Sequence, residues 1–205
     1  MLTSYQLQVQ DLIDDPNNTF VSLTTLTRFI NNARNRVALD TQSIRSYQSF
    51  SLAQGVNSLT LSTLTPAIIG VLNVFLDWNN LVYPLPQRTF TFVQTEFLAM
   101  TTFQSVPVVW CTFGKNQIML GPVPDQAYTL YIDGISYPDA LVDDTTVEQL
   151  SGSDTDAVQY YAAYLCFLKK QDGPSAKGML SLYQSALQAS TGVSGRILSS
   201  PYGGR

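Results

Sequence analysis

The stretch Ser22–Thr41, SLTTLTRFINNARNRVALDT, sets Leu23, Leu26, Ile30, Ala33 and Val37 three or four residues apart. That spacing returns to one side of a helix every turn, so the stretch is expected to be a helix burying this stripe. Ser22 stands just ahead of the first apolar residue and can cap the helix with its hydroxyl. Arg28, Asn31 and Asn35 fall roughly opposite the stripe, and no acid occurs until Asp40. A solvated helix face normally carries alternating Glu and Lys pairs. This one has none, so a binding partner is expected against Arg28, Asn31 and Asn35.

Upstream, Leu2, Tyr5, Val9 and Leu12 also recur at helical spacing, and Asp14-Asp15-Pro16-Asn17-Asn18 breaks the pattern. Downstream the period changes to two at Tyr47. YQSFSLAQGVNSLTL alternates around Ala53-Gln54-Gly55 and is expected to be a hairpin. IIGVLNVFL and LVYPL flank Asp77-Trp78-Asn79-Asn80, a second expected hairpin. Thr95 is the expected cap of a short helix, EFLAMTTF. VPVVWCTF and QIMLG flank Gly114-Lys115-Asn116, and the strand AYTLYIDGISY follows. The middle of the chain is therefore expected to be a mostly antiparallel sheet.

Helical spacing returns in TDAVQYYAAYLCFLKK, with Ser153 or Asp154 as the expected cap and Lys169 and Lys170 at the end favoured by the helix dipole. From Ala157 to Leu168 only Gln159 is strongly polar, so this helix must be covered on nearly all sides. A sheet is expected on one side, with a neighbouring helix or another subunit on the other. Asp172-Gly173-Pro174 breaks the pattern, and Ser175–Ala189 forms a last helix. The remainder, STGVSGRILSSPYGGR, is rich in Gly and Ser and cannot build a core alone. Val193, Ile197, Leu198 and Tyr202 are its candidate anchors, and Arg196 and Arg205 suit an acidic surface. The order is thus two helices, a β block, two helices and a tail, an α+β chain.

Hydrophobic residues make up 45% of the chain, enough for a folded core, while charged residues make up only 13%, about half the usual share. So little charge suits a surface covered by other proteins in an assembly. The net charge of −4 speaks against nucleic-acid binding through a strong basic patch. It is unevenly spread: residues 1–150 sum to −6 and residues 151–205 to +2. The start, MLTSYQLQVQDLIDD, has no basic opening and no long apolar run, so no secretory leader is expected. No segment reaches the roughly 20 apolar residues of a membrane span.

The chemistry-bearing residues form no catalytic, cofactor or metal signature. Histidine, the commonest general base and metal ligand, is missing. Cys111 and Cys166 are expected to be buried free thiols. Gly192 and Gly195 lack the strand and Gly-Lys-Ser/Thr of a phosphate loop. Asp139, Asp143, Asp144 and Glu148 miss the alternation of a calcium loop and are expected to form a solvated acidic loop. Trp78, Tyr83, Phe90, Phe92, Trp110 and Phe113 lie in or beside strands. Most are expected in the sheet core; exposed, they would suit a carbohydrate-binding β module.

The order of segments resembles the head-to-tail adaptor proteins of tailed bacteriophages, the ring beneath the portal. The motifs that carry the resemblance are Asp14-Asp15-Pro16, LTRFINNARNRVA (26–38) and FSLAQGVNSLTL (50–61). They continue with Leu120-Gly121-Pro122-Val123-Pro124-Asp125, the Tyr-rich strand after it, the Tyr/Ala-rich helix and LYQSAL (182–187). Together they span about residues 1–190. The family often leads into its penultimate helix with Leu-Pro-x-x-Tyr/His, where this chain reads LSGSDTDAVQYYAAY.

The resemblance implies a helical bundle, residues 1–46 and 138–189, with a β-rich insertion at 47–137 and an extended portal-docking tail at 190–205. It implies a homo-oligomeric ring, typically of twelve copies, in the virion neck and assembled in the host cytoplasm. Its partners would be the portal protein and the tail nozzle or tube, with packaged double-stranded DNA passing through the lumen without sequence-specific binding. No cofactor, membrane or catalysis is implied. On this reading Arg28, Asn31, Asn35, Val193, Arg196, Ile197, Leu198, Tyr202 and Arg205 are the candidate interface residues. Head-closure and tail-terminator proteins are the rival within the virion, but they are usually dominated by a β-barrel with fewer flanking helices.

Overall fold

The apolar stripes of the first two segments become helices of nearly the expected length. The structure, a computed structural model, describes residues 1–98 and 103–194, with side chains up to Ser190 at the C-terminal end. Helix α1 (Leu2–Ile13) buries Leu2, Tyr5, Val9 and Ile13, and Asp14 ends it in the left-handed conformation at φ 52°. The break that follows is organised by Asp15. Its carboxylate accepts the amides of Thr19, Phe20 and Val21 and the Thr19 hydroxyl at 2.7–3.0 Å.

The Val21 amide and the Thr19 hydroxyl lead in holding the Asp15 carboxyl down at about 2, from its ordinary 3.8. A lowered carboxyl favours the folded state above its unfolded value and loses that contribution as pH falls through its folded value. Asp15→Asn is therefore expected to flatten the acid limb of the stability profile between roughly pH 4 and pH 2. Urea midpoints of both proteins across that range check it.

Helix α2 (Leu23–Thr41) starts at the Ser22 cap, whose hydroxyl accepts the Thr25 amide at 3.4 Å. Leu26, Ile30, Ala33 and Val37 are buried as the stripe requires. Leu23 is 48% exposed, and Arg34 is fully buried instead.

A short α3 (Phe90–Val93), capped by Thr89, runs into a wider π turn at Gln94–Leu98. Thr95, expected as a cap, lies inside that turn and bonds back to the Thr91 and Phe92 carbonyls. Helix α4 (Gly152–Lys170) begins at Ser151, ahead of the expected Ser153 or Asp154. Asp154 instead sits in the first turn, buried, and accepts the Ser190 hydroxyl. Helix α5 (Gly173–Ser194) follows almost at once because Asp172 accepts the Ser175 amide at 3.2 Å. It continues past Ala189, so residues 190–194, expected in the extended tail, are helical.

The chain divides into two compact units, one of residues 1–44 with the chain from Pro138 onward, the other Arg45–Tyr137. In the helical unit α4 is the central element. It packs against α1, α2 and α5, and none of residues 157–167 is fully exposed. Within this unit three amphipathic helices each bring an apolar stripe to it. Tyr183 of α5 lies 4.9 Å from the Tyr161 ring, and its hydroxyl donates to Asp40 of α2 at 2.7 Å. That bond ties the last helix to the second.

The other unit holds two antiparallel sheets. One has the order β1-β7-β3-β4, from Arg45–Leu52, Tyr128–Ser136, Ile68–Trp78 and Leu81–Leu85. The second has the order β2-β6-β5, from Ser58–Thr60, Gln117–Gly121 and Val109–Phe113. The expected hairpin over Tyr47–Leu61 does not form. Its two arms diverge, β1 to β7 and β2 to β6, while Gly55 at the bend donates its amide to the Pro124 carbonyl at 2.9 Å. Both arms still place leucines, Leu52 and Leu59, in one core with Trp110, Ile118, Leu120, Leu130 and Ile132.

The other two hairpins form as expected. β3 and β4 turn through Asn79 and Asn80, both left-handed at φ 54° and 61°, as a tight hairpin turn requires. β5 and β6 join through Gly114 at φ 66°. Arg45 at the start of β1 pairs with Ile135 near the end of β7, so this unit is entered and left at adjacent strand ends. A Cβ on Gly134 of β7 would stand 2.5 Å from Ile68 Cγ2 and 2.7 Å from the Gly70 carbonyl oxygen. Only glycine permits that approach of β7 to β3.

Candidate functional site

Two polar residues of α2, Asn31 and the buried Arg34, bond to the segment that leads into α4. Arg34 Nε donates to both oxygens of Glu148 at 3.2 and 3.0 Å, and Nη2 donates to one of them at 2.7 Å. Nη1 donates to the Asp139 carbonyl at 2.7 Å and to Asn31 Oδ1 at 3.2 Å. The two charged side chains are 1% and 5% exposed. Burial drives the Glu148 carboxyl upward, but the Arg34 guanidinium and the Leu150 amide outweigh it, and the carboxyl rests below its ordinary value. Burial, then the Glu148 charge, pushes the nearby Tyr5 phenol up.

Asn31 clasps the same segment. Its Nδ2 donates to the Leu141 carbonyl at 3.0 Å, and its Oδ1 accepts the Leu141 amide at 2.8 Å. Asp144 accepts the Thr3 amide at 2.8 Å and the Thr3 hydroxyl. Asp143 accepts the Thr145 and Thr146 amides at 2.9 and 3.1 Å. The segment 138–150, expected as a solvated acidic loop, is therefore pinned to α1 and α2. Two of its apolar side chains still point outward: Val142 is 77% exposed and Val147 78%.

Of the expected interface residues, Arg28 is exposed and lies over the Phe29 ring, and Asn35 is partly exposed. Asn31 is committed within the chain. Val193 lies in the last turn of α5 with its side chain outside the described residues, as are Arg196, Ile197, Leu198, Tyr202 and Arg205. Glu148, expected in a solvated acidic loop, is instead buried against Arg34, to which the sequence alone assigned no role although it stands four residues after Ile30, on the buried stripe. An arginine at a core position calls for a buried acid, and that was the available signal.

The aromatic residues also differ from expectation. Of the six named above only Trp110 is buried, its indole N–H donating to the Leu85 carbonyl at 3.1 Å. Trp78, Tyr83, Phe90, Phe92 and Phe113 are each at least 37% exposed. They pair locally, Trp78 with Tyr83 at 5.9 Å and Phe90 with Phe113 at 4.9 Å. Trp78, Tyr83, Pro84 and Val108 line an open groove of about 320 Å³, and β4 forms the edge of its sheet beside it. Such exposed apolar surface marks a place of contact with other molecules.

Chemistry is poorly provided for. Burial pushes the Cys166 thiol up to about 12 and raises Cys111 as well, so neither is a thiolate nucleophile near neutral pH. Among the described residues no three His, Cys, Asp or Glu side chains gather as metal ligands, and no helix is long and apolar enough to cross a membrane.

A family model described as SU10 adaptor protein matches residues 3–201. No curated protein matches the chain.

Proposed function

Because the chain belongs to the SU10 adaptor family, a family of phage head-to-tail adaptors, we propose that copies of it form a ring joining the portal to the tail and extending the DNA channel. The family match across residues 3–201 carries this reading. The low charge content and the exposed aromatics of the β unit support it, since both suit a surface enclosed by other proteins. Its role is structural rather than catalytic, in the virion neck. The acid-rich body suits a lumen that repels DNA phosphate instead of gripping it.

The portal is met by residues 195–205, GRILSSPYGGR, which order on binding through Ile197, Leu198 and Tyr202, with Arg196 and Arg205 on acidic surface. Arg28 and Asn35 supply further contacts along α2. Native mass measurement of the chain mixed with portal tests the whole reading. A ring on the portal is expected, and a chain that stays alone beside portal overturns it.

Truncation after Ser194 separates attachment from folding. It keeps Ser190 and its bond to Asp154, so helicity is expected to stay unchanged while portal affinity falls roughly tenfold or more, as for loss of a small anchor cluster. Unchanged portal binding in a pull-down or by mass would remove the tail from the interface.

A further inference from the structure

Two separate surfaces of the helical unit expose different chemistry. On one, the segment between α1 and α2 presents Phe20, whose ring lies 5.8 Å from Lys169 Nζ and 5.6 Å from Lys170 Nζ at the C-terminus of α4. Phe20, Leu23 and Leu168 are 38%, 48% and 48% exposed. Among the described residues neither ammonium forms an ion pair with a carboxylate. The acids nearest in sequence are committed to backbone amides, Asp15 to Thr19, Phe20 and Val21, and Asp172 to Ser175.

Elsewhere, beside the start of α1 and the middle of α2, the 138–150 segment presents Val142, Asp143 and Val147. Asn31, which holds Leu141, stands eight residues along α2 from Leu23, so the two surfaces are offset by about 12 Å along that helix at 1.5 Å per residue. This segment is held by Asn31, Arg34, Thr3 and its own Asp143 turn, yet it holds two valines in water. A loop already fixed loses little further entropy on binding, which makes it an efficient contact element.

We propose that the occupant of both surfaces is a second copy of this chain: the Val142–Val147 loop of one copy seats on the Phe20, Lys169 and Lys170 surface of the next. The apolar parts match, valines against Phe20, Leu23 and Leu168, and so do the charges, Asp143 against the two lysines. The surfaces differ and lie apart on one compact unit, so the contact is heterologous and joins different copies. Each contact leaves a free surface of each kind, and the series ends only by closing into a ring. This inference deepens the adaptor reading by naming the contact between copies.

Cross-linking tests it, with Cys111 and Cys166 both buried and so silent. Val142→Cys copies mixed with Phe20→Cys copies under mild oxidation, alone and with portal, are expected to give disulfide dimers that neither variant gives by itself. A chain carrying both substitutions is expected to give a ladder. Asp143→Lys is expected to weaken the association roughly tenfold, and Lys169→Asp/Lys170→Asp copies are expected to restore it. A misfolded variant would not be rescued by a change in its neighbour.

A mixture that cross-links no better than the single variants in either condition, or charge reversal without rescue, overturns the contact. Wild-type assembly on portal without the cross-link overturns the contact and leaves the adaptor reading standing. Cross-linking without any assembly on portal leaves the contact and overturns the adaptor reading.

Discussion

Arg34→Ala is expected to lower the unfolding free energy of the helical unit by about 3–5 kcal/mol, the usual loss when a buried carboxylate is left without its partner. Arg34 makes three bonds to Glu148 and a fourth to the Asp139 carbonyl, with both charged side chains out of water. Burial is already the largest single influence on Glu148, and without the guanidinium only the Leu150 and Gln149 amides and the Tyr5 phenol oppose it, so the carboxyl is expected to rise. The pH dependence follows from that rise. In the wild type the lowered carboxyl favours folding above pH ~4.3 and loses that contribution as pH falls. In the variant the raised carboxyl penalises folding at neutral pH and ceases to do so once protonated. The deficit is therefore expected to shrink from pH 7 to pH 4, as read from urea unfolding followed by helical circular dichroism. A deficit below about 1 kcal/mol, independent of pH, would show the pair to behave as a surface ion pair. Lysine in place of Arg34 is expected to recover only part of the loss, because it cannot match the two-pronged geometry.

Trp110→Ala is expected to cost about 3–5 kcal/mol in the β unit, the range for removing a buried aromatic side chain. The indole is 1% exposed, sits among Leu52, Leu76, Leu120 and Ile132, and donates to the Leu85 carbonyl. The substitution opens a cavity between the two sheets' shared leucines and leaves that carbonyl without its donor. Hydrogen exchange resolves the effect by element. Protection of β3, β5, β6 and β7 amides is expected to fall, while that of α1, α2, α4 and α5 holds. Equal loss across both groups would mean that the two units unfold as one. Trp110→Phe keeps the volume more nearly and is expected to lose less, which separates the cavity from the lost bond.

Much of the local structure was legible because it is written in near neighbours. The stripe Leu26, Ile30, Ala33, Val37 needs only helical geometry to be recognised, and Asn79-Asn80 needs only the left-handed turn that joins two strands. The near-absence of polar residues from Ala157 to Leu168 announced a covered helix. A neighbouring helix was expected on one side and three helices are found, since a sequence shows that a surface must be buried without showing which elements share it, or how many. The hairpin expected at Tyr47–Leu61 failed for the same reason. Alternation is a property of each strand, but β1 and β2 chose partners some 55 to 90 residues away, β6 and β7, because those strands bury Leu52 and Leu59 better.

The interface candidates divide in the same way. An absence of acid on one side of α2 was visible in the sequence, but Asn31 on that side holds Leu141, more than a hundred positions away, while Arg28 and Asn35 stay at least partly exposed. Of the carboxylates expected in a solvated loop, Asp139, Asp143 and Asp144 are exposed as expected, and Glu148 is drawn inward by the arginine on the core stripe.

By itself, then, the sequence determined the periodicities: two helices, a strand-rich middle, two helices again, and the family to which that order belongs. Tertiary structure alone decided the pairings, which strand meets which, what surrounds α4, and which polar groups are spent inside. Periodicity is set by the chain's own geometry over a few residues, whereas pairing is a competition among distant segments for the same buried surface and the same hydrogen bonds.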